Sequence, residues 1–233
     1  MIHILWATIR PDTFQSTHSE WIKRSNNPKN IRTYVAVNWK EHADILRDYL
    51  KNDYLLTLNT TKIGVCYPSY ELSSNLGNKM GKCEIDDIVV FASDDFLPPE
   101  NWDQYLVDKL KNKSGVLMVR DGYQLPDSSN MLYPAITIPI MTFDSLLKLN
   151  KIIYHPAYNH MFSDVELYFN AKDLGLLIDD RLADETVFEH LHYAAGKRNA
   201  DQADQAYNAK WADDDATWQK RQSMPVEERI LPI

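Results

Sequence analysis

The sequence predicts a single α/β domain with a central, mainly parallel sheet flanked by helices. In the first half, short runs of β-branched and aromatic residues alternate with longer amphipathic stretches, the pattern of βαβ units. The run "DDIVVFA" (residues 86–92) is polar only at its ends, as in a strand buried on both faces. A length of 233 residues suits one full-sized domain.

The elements of the first half follow in order. Strands are predicted at "IHILWAT", "RTYVAVN", "KIGVCYP" and "DDIVVFA". Helices are predicted at "STHSEWIKRS" and "KEHADILRDYLKN", and "SSNLGNKMGKC" is predicted to be a helix or a loop.

The second half begins with a helix at "WDQYLVDKLKNK", a strand at "GVLMVRDG" and a strand leading into a helix at "AITIPIMTFDSLLKLN". The stretch "HPAYNHMFSDVELYFNAKDLG" predicts an aromatic loop and then a helix that ends at Gly175. From Gly196 the chain is polar and helical, with Tyr207, Trp211 and Trp218 as apolar anchors. We expect one domain over residues 1–233, with functional halves at 1–102 and 103–195 and a tail at 196–233.

Composition restricts the class of protein. The net charge of −8 argues against nonspecific attraction to nucleic-acid phosphates, although a local patch at Lys109, Lys111 and Lys113 remains an alternative to a solvated helix end. No apolar run is long enough to span a membrane, and the N-terminal residues do not resemble a secretory signal. Two cysteines, Cys66 and Cys83, are expected to be reduced, so we expect a cytoplasmic protein.

The stretch "VVFASDDFLPPENW" (residues 89–102) places two acids, Asp94 and Asp95, where the central strand ends. Ligands of parallel sheets bind at this edge. A cap for the turn at the double proline is one explanation. A divalent cation that neutralises the two carboxylates and also binds substrate phosphates is the other.

The segment "DDIVVFASDDFLPPENWD" resembles the acidic metal motif of GT-A-fold glycosyltransferases, especially family 2. The resemblance in pattern and order covers most of the chain, with Ala92 and Asn38 where the family usually has acids. It implies Mn²⁺ or Mg²⁺ at Asp94 and Asp95, and a nucleotide-sugar donor, with a UDP-sugar expected. The donor contacts that it implies are Thr8, Arg10, Asn38, Asn75, Lys79, Ser93, Asp94, Lys197 and Arg198.

The stretch "MFSDVELYFNAKDLG" permits two interpretations. Ser163 and Glu166 have the spacing of a capping box, and Asp164 suits the first turn of a helix. The resemblance instead implies catalytic carboxylates at Asp164 and Glu166, with Asp164 preferred as the general base. Both interpretations can hold together, because a helix start fixes a carboxylate rigidly.

Two further stretches complete the expected site. In "FEHLHYAAGKR" the resemblance implies a histidine as third metal ligand, His192 in first place and His190 in second. The loops "VRDGYQLPDSSNMLYP" and "YHPAYNHMF" are rich in aromatic rings, which stack on sugars. Asp121, Tyr123, Tyr158 and His160 are the expected acceptor contacts, with Tyr133 and Tyr154 as further candidates.

The sequence therefore predicts a metal-dependent, inverting hexosyl- or pentosyltransferase. The acceptor is expected to be a saccharide or a hydroxymethylated base in DNA, because the chain also resembles small stand-alone enzymes of bacteria and bacteriophages; a phage protein would act in the host cytoplasm. The alternatives are a nucleotidyltransferase, whose glycine-rich loop is absent from "ATIRPDTF", and a noncatalytic sugar-binding module. The oligomeric state is not predicted.

Overall fold

The computed structural model describes residues 1–50, 53–58, 64–123, 133–182 and 186–232. The strands are β1 (Ile2–Thr8), β2 (Ile31–Val37), β3 (Tyr54–Thr57), β4 (Ile88–Ala92), β5 (Phe96–Leu97), β6 (Val116–Met118), β7 (Ile140–Thr142), β8 (Leu177–Asp179) and β9 (Glu189–His190). The α-helices are α1 (Pro11–Lys23), α2 (Lys40–Arg47), α3 (Cys66–Asn75), α4 (Trp102–Leu110), α5 (Phe143–Lys148), α6 (Ser163–Asp173), α7 (Gln202–Asn208), α8 (Trp211–Arg221) and α9 (Val226–Arg229).

Among the described residues, seven strands form one sheet in the order β3-β2-β1-β4-β7-β6-β8. The pairs β1–β2, β1–β4, β2–β3 and β6–β8 are parallel, and β7 is antiparallel to both of its neighbours. The predicted mainly parallel sheet is confirmed. Because the chain moves from β1 to β2 on one side and to β4 on the other, a crevice opens at the carboxyl edge between these strands.

Helices cover both faces of the sheet, because successive strand residues point to opposite sides. Leu5 and Phe91 pack with α3, α5 and α6 in one buried cluster. Trp6 and Val90 pack with α1, α2 and α4 in a second cluster on the other face. The sheet is thus buried on both faces, as the apolar character of β4 predicts.

The strand predicted at "KIGVCYP" is wrong. Its second half opens helix α3, and the third strand lies earlier, at β3; residues 61–63 lie outside the described part of the chain. Cys66, Ser69 and Ser73 are buried at intervals of three and four residues, which is a helical period. Pro68 is compatible with the first turn, where a backbone N–H has no helical partner.

The predicted capping box at the start of α6 does not form. Phe162 is the N-cap, with φ of 63°, and the Ser163 hydroxyl donates to the carbonyl oxygen of His160. The Glu166 carboxylate accepts hydrogen bonds from Tyr158 and Arg221 instead. The helix start is held by these tertiary contacts.

The tail is helical, as predicted, and two of its three predicted anchors are buried. Tyr207 and Trp218 are 4% and 2% exposed, but Trp211 is 48% exposed and contacts Phe162 at a ring-centroid distance of 5.6 Å. The division into a donor half, an acceptor half and a tail stays a prediction. Within the described residues, no helix has both the length and the apolar character needed to cross a bilayer.

The buried pair of Glu166 and Arg221 yields a stability prediction. Arg221 donates to both carboxylate oxygens of Glu166, at 2.8 and 2.9 Å. Arg221→Ala would leave a buried carboxylate without its cation, so we expect a loss of about 3–5 kcal/mol in the free energy of unfolding. Guanidinium unfolding measures this loss. The control Lys220→Ala, at an exposed neighbour, should change the same quantity by less than about 0.5 kcal/mol. Equal effects of the two variants would refute the interpretation.

Candidate functional site

A cavity of about 290 Å³ lies at the carboxyl edge of the sheet. The predicted site residues that line it are Arg10, Ser93, Asp94, Asp95, Tyr123, Tyr154, His160, Asp164, His190 and His192. Thr137, Met161, Tyr193, Asp204, Tyr207 and Asn208 also line it, and the sequence did not assign them to the site. The fold therefore brings together residues from seven separate parts of the chain.

The acid pair lies at a junction between two sheets. Directly after Asp95, strand β5 pairs antiparallel with β9, and Phe96 lies opposite His190 in the register. The backbone N–H of Leu191 donates to the carbonyl oxygen of Asp95 at 2.7 Å. The His190 ring stacks on Phe96 at 4.1 Å, which places its Nε2 3.5 Å from Asp95 Oδ2.

Asp94 faces strand β1. Its Oδ1 accepts from Trp6 Nε1 and its Oδ2 from the Thr8 hydroxyl, each at 2.8 Å. Burial raises the pKa of Asp94 to about 7, against the opposing effect of these two hydrogen bonds. Both oxygens thus have a donor from β1, and the carboxylate joins β4 to β1 at the edge of the cavity.

Asp95 faces the cations of the site. Burial favours its neutral form, but contacts with His190, Ser93 and Arg198 outweigh burial and hold its pKa well below the usual range. Burial likewise opposes the charge on His190, yet Asp121 and Asp95 raise the pKa of this histidine. Asp95 is therefore the more readily ionised member of the pair.

The tail supplies partners for two arginines that lie beside the acid pair. Arg10 donates to Asp201 at 2.6 and 3.0 Å and to Asp204 at 3.1 Å. Arg198 donates to Asp204 at 2.5 and 2.8 Å and lies 3.5 Å from Asp95 Oδ2. Asp201 and Asp204 also form the capping box of α7, the local signal from which a helix start was predictable.

Asp164 lies in the first turn of α6 and lines the cavity. Its Oδ1 accepts from the backbone N–H of Val165 at 2.9 Å. Burial raises the pKa of Asp164 to about 6, with the hydrogen bond from Val165 opposing the rise. A carboxyl group with this pKa is largely ionised at neutral pH and is still basic enough to accept a proton in a transition state.

The loop before α6 is fixed by Asp214, a residue that the sequence did not single out. Its buried carboxylate accepts the backbone N–H groups of Asn159, His160 and Met161 at 2.8–2.9 Å, and the side-chain amide of Asn159 at 2.9 Å. The His160 ring consequently stacks on Tyr207 at 4.0 Å, and burial lowers its pKa to about 4. His160 therefore presents a neutral ring to the cavity.

Several predicted site residues do not reach the cavity. Glu166 is 2% exposed and is bound to Tyr158 and Arg221 inside the protein, so neither Glu166 nor Tyr158 faces a substrate. Tyr133 packs 5.9 Å from Trp218. These contacts give Glu166 and Tyr158 a structural role.

Asn75 and Lys79 lie far from the acid pair. The cavity-lining residue Val65 precedes α3, and Asn75 ends this helix. A rise of 1.5 Å per residue separates Asn75 from Val65 by about 15 Å along the helix axis. The side chain of Asn75 donates to the Glu71 carbonyl oxygen, and Lys79 is exposed beyond the helix end.

The remaining predicted residues surround the cavity without lining it. Thr8 and Asn38 are buried at the ends of β1 and β2. Asp121 accepts from Thr137 and from the backbone N–H of Tyr123, and lies 3.8 Å from His190 Nδ1. Lys197 is exposed and pairs with Glu189 at 3.4 Å.

Comparison with known proteins supports the fold. No protein-family model matches the sequence, and no curated protein matches it. Among solved structures, S. aureus TarS 1-349 in complex with UDP aligns with a TM-score of 0.60 and 14% identity over 98% of this chain and 76% of that one. The complex of TarS 1-349 with UDP-GlcNAc aligns with a TM-score of 0.61 and 16% identity over 88% of this chain and 61% of that one.

Glucosyl-3-phosphoglycerate synthase from Mycobacterium tuberculosis, in complex with Mn²⁺, UDP and glucosyl-3-phosphoglycerate, aligns with a TM-score of 0.59 and 14% identity over 97% of this chain and 81% of that one. A longer TarS structure is covered over only 36% of its length. The chain has the GT-A fold that the sequence predicted. At these identities the likeness establishes the fold.

The contacts of Asp214 allow a direct test. In Asp214→Asn, an amide NH₂ replaces an oxygen that accepts backbone N–H groups, so we expect a loss of about 1–3 kcal/mol in the free energy of unfolding. Urea unfolding measures the change. The neighbouring Asp213→Asn, at an exposed position paired with Lys210, is the control and should have a much smaller effect. Comparable losses in both variants would contradict the assignment.

Proposed function

We propose that the protein is an inverting glycosyltransferase that moves a hexosyl or pentosyl group from a UDP-sugar to an acceptor hydroxyl. The observation that carries the proposal is the presence, in one cavity at the carboxyl edge, of an ionised Asp95 and of Asp164 with a raised pKa. The solved structures with this fold include complexes with UDP and UDP-GlcNAc, which supports the choice of donor.

The donor diphosphate is proposed to bind Arg10 and Arg198. Guanidinium groups bind phosphate oxygens in a bidentate manner, and both arginines line spaces next to the acid pair. Their present partners, Asp201 and Asp204, are anions too. Donor phosphates would therefore compete with these two carboxylates for the same cations.

Asp95 and His190 fit a divalent cation. Asp95 Oδ2 and His190 Nε2 face each other at 3.5 Å. Both Mn²⁺ and Mg²⁺ accept oxygen ligands, and imidazole is a better ligand for Mn²⁺ than for Mg²⁺. We place Asp94 second, because Asp95 is the carboxylate that lies beside His190, while Asp94 is bound to the Trp6 and Thr8 side chains of β1; we propose that Asp94 positions Asp95. His192 accepts the Ala194 N–H at Nδ1 and stacks on Tyr123, so we place it second to His190. A bound ion would supply positive charge to the leaving diphosphate.

Asp164 is proposed as the general base. It takes the acceptor's hydroxyl proton as the acceptor oxygen bonds to the anomeric carbon, while the bond from that carbon to the diphosphate breaks and UDP leaves. General-base assistance of this kind contributes roughly 10²–10⁴ to the rate. Glu166 is not part of this step, because Arg221 and Tyr158 occupy its carboxylate.

The acceptor is proposed to be a saccharide. Tyr123, Tyr154 and Tyr207 line the cavity, and aromatic rings pack against the apolar faces of sugars. A hydroxymethylated base in DNA would bring phosphates to a protein of net charge −8, at a cavity with several carboxylates. Glycan and modified-DNA acceptors are therefore both included in the activity test, with the glycan expected to react.

The proposed function is tested by thermal-shift binding with UDP-, GDP-, CMP- and ADP-sugars, with and without Mn²⁺, followed by a transfer assay with the donor that binds. A rise in melting temperature with a UDP-sugar that requires Mn²⁺ is expected. Binding without turnover on any acceptor would indicate a noncatalytic sugar-binding module. Release of diphosphate from a sugar phosphate and UTP would indicate a nucleotidyltransferase.

Two variants separate the roles of the carboxylates. Asp95→Ala should abolish Mn²⁺-dependent binding of the donor, because it removes an ionised group next to His190. Asp164→Asn should leave donor binding nearly unchanged and lower kcat by about 10² or more, because it removes only the base. Calorimetric donor titration and single-turnover assays measure the two effects. The reverse pattern would refute both roles.

The pKa of Asp164 also predicts the pH dependence of the rate. The base must be ionised, so kcat should fall by about tenfold per pH unit as the pH drops below about 6. Thr8→Val is the control, because it removes a hydrogen bond that lowers the pKa of Asp94 and leaves Asp164 untouched. The pH at which kcat falls to half its maximum on the acidic side should be the same in this variant as in the wild type. A shift of that midpoint to higher pH would show that Asp94, and not Asp164, controls the acidic fall in rate.

A further inference from the structure

A second group of possible metal ligands lies at the opposite edge of the sheet. His3, Cys83 and Asp87 each offer a ligand atom, and these atoms all lie within 4.8 Å of one another. His3 is at the amino end of β1, and Asp87 directly precedes β4, where Ile2 pairs with Ile88. The proposed catalytic cavity lies at the carboxyl ends of the same two strands. The two groups are therefore separated by the length of the strands.

The histidine is held in a fixed orientation. His3 is 1% exposed; its Nε2 lies 3.1 Å from Asp87 Oδ2, and its Nδ1 lies 3.2 Å from the Tyr34 hydroxyl. Histidine ligands of metals commonly have such a partner on the second ring nitrogen, which fixes the tautomer and the ring plane. Asp87 also has outer partners, the Met1 amino group on Oδ1 and the Glu84 N–H on Oδ2.

A hydrogen-bonded pair of His3 and Asp87 does not require a cysteine beside it, so Cys83 is the residue that points to a metal site. Burial and the charge of Asp87 raise the pKa of the Cys83 thiol to about 11, with a hydrogen bond from the Gly77 backbone opposing the rise, so zinc binding would release the thiol proton. The side chain is half-buried, so an ion can reach it from solvent. Thiolate sulfur, imidazole nitrogen and carboxylate oxygen together are a ligand set for zinc, whereas magnesium and calcium prefer oxygen ligands alone.

We propose that His3, Cys83 and Asp87 form a Zn²⁺ site, with three protein ligands and a fourth position taken by water. The zinc would connect the loop before β4 to strand β1 at the amino edge of the sheet. Among the residues that the structure describes, these three are the one set of at least three histidine, cysteine or acidic side chains whose ligand atoms lie close enough to share an ion. The site is independent of the proposed glycosyl transfer.

The test uses the untagged full chain, freed of metal with a chelator, and titrates it with Co²⁺ and then Zn²⁺. We expect one equivalent of Co²⁺ to give a near-ultraviolet thiolate-to-cobalt charge-transfer band, which Zn²⁺ then displaces. Cys83→Ser should lose this band and bind Zn²⁺ at least about tenfold more weakly. His3→Gln should weaken Zn²⁺ binding similarly, with circular dichroism checking that the buried substitution leaves the chain folded.

Two matched variants control for other sites. Cys66→Ser removes the second cysteine, and Asp95→Ala removes the acid proposed for the catalytic cation. Both should keep the charge-transfer band and the wild-type Zn²⁺ affinity. Absence of the band in the wild type, its survival in Cys83→Ser, or its loss in Cys66→Ser or Asp95→Ala would overturn the proposal. None of these readouts depends on transferase activity, so the result stands apart from the proposed function.

Discussion

The pairing of β5 with β9 determines which side chains meet at the carboxyl edge. Strand β4 ends, two acids follow, and the chain then enters a two-stranded ladder in which Phe96 lies opposite His190. A shift of one residue in this ladder would turn His190 to the other face and remove it from Asp95. The distance between the imidazole and the carboxylate is therefore a property of backbone register, fixed before any ligand arrives.

The C-terminal tail completes the fold around this ladder. It contributes Asp204 to the arginines beside the acid pair, Asp214 to the loop before α6, and Arg221 to Glu166 on the helix itself. Each contact satisfies a charged or polar group that burial would otherwise penalise. The tail is consequently part of the domain's core and of the cavity wall.

The sequence was sufficient to locate β1, β4 and the acid pair, because strand periodicity and a carboxyl-end position are local signals. It was insufficient for the tail's carboxylates, because Arg10 and Asp201 are 191 residues apart and no local pattern links them.

The sequence selected both Asp164 and Glu166 as catalytic carboxylates, although only Asp164 lines the cavity. Glu166 follows Asp164 by two positions, which is a rotation of about 200° around the helix axis. A helix that directs Asp164 to the cavity therefore directs Glu166 into the core. The strand predicted at "KIGVCYP" failed because a short apolar run does not distinguish a strand from a buried helix turn.

The order of the main sheet has a further consequence, for the way copies of the protein meet each other. Its outermost strands are β3, with four residues, and β8, with three. An open sheet edge invites a strand from another molecule, because its backbone N–H and C=O groups have no partner on that side. Edge strands as short as these offer only a few unpaired backbone groups to a strand from another molecule. The long, apolar strands β1 and β4 lie in the interior of the sheet, where both edges of each are already paired.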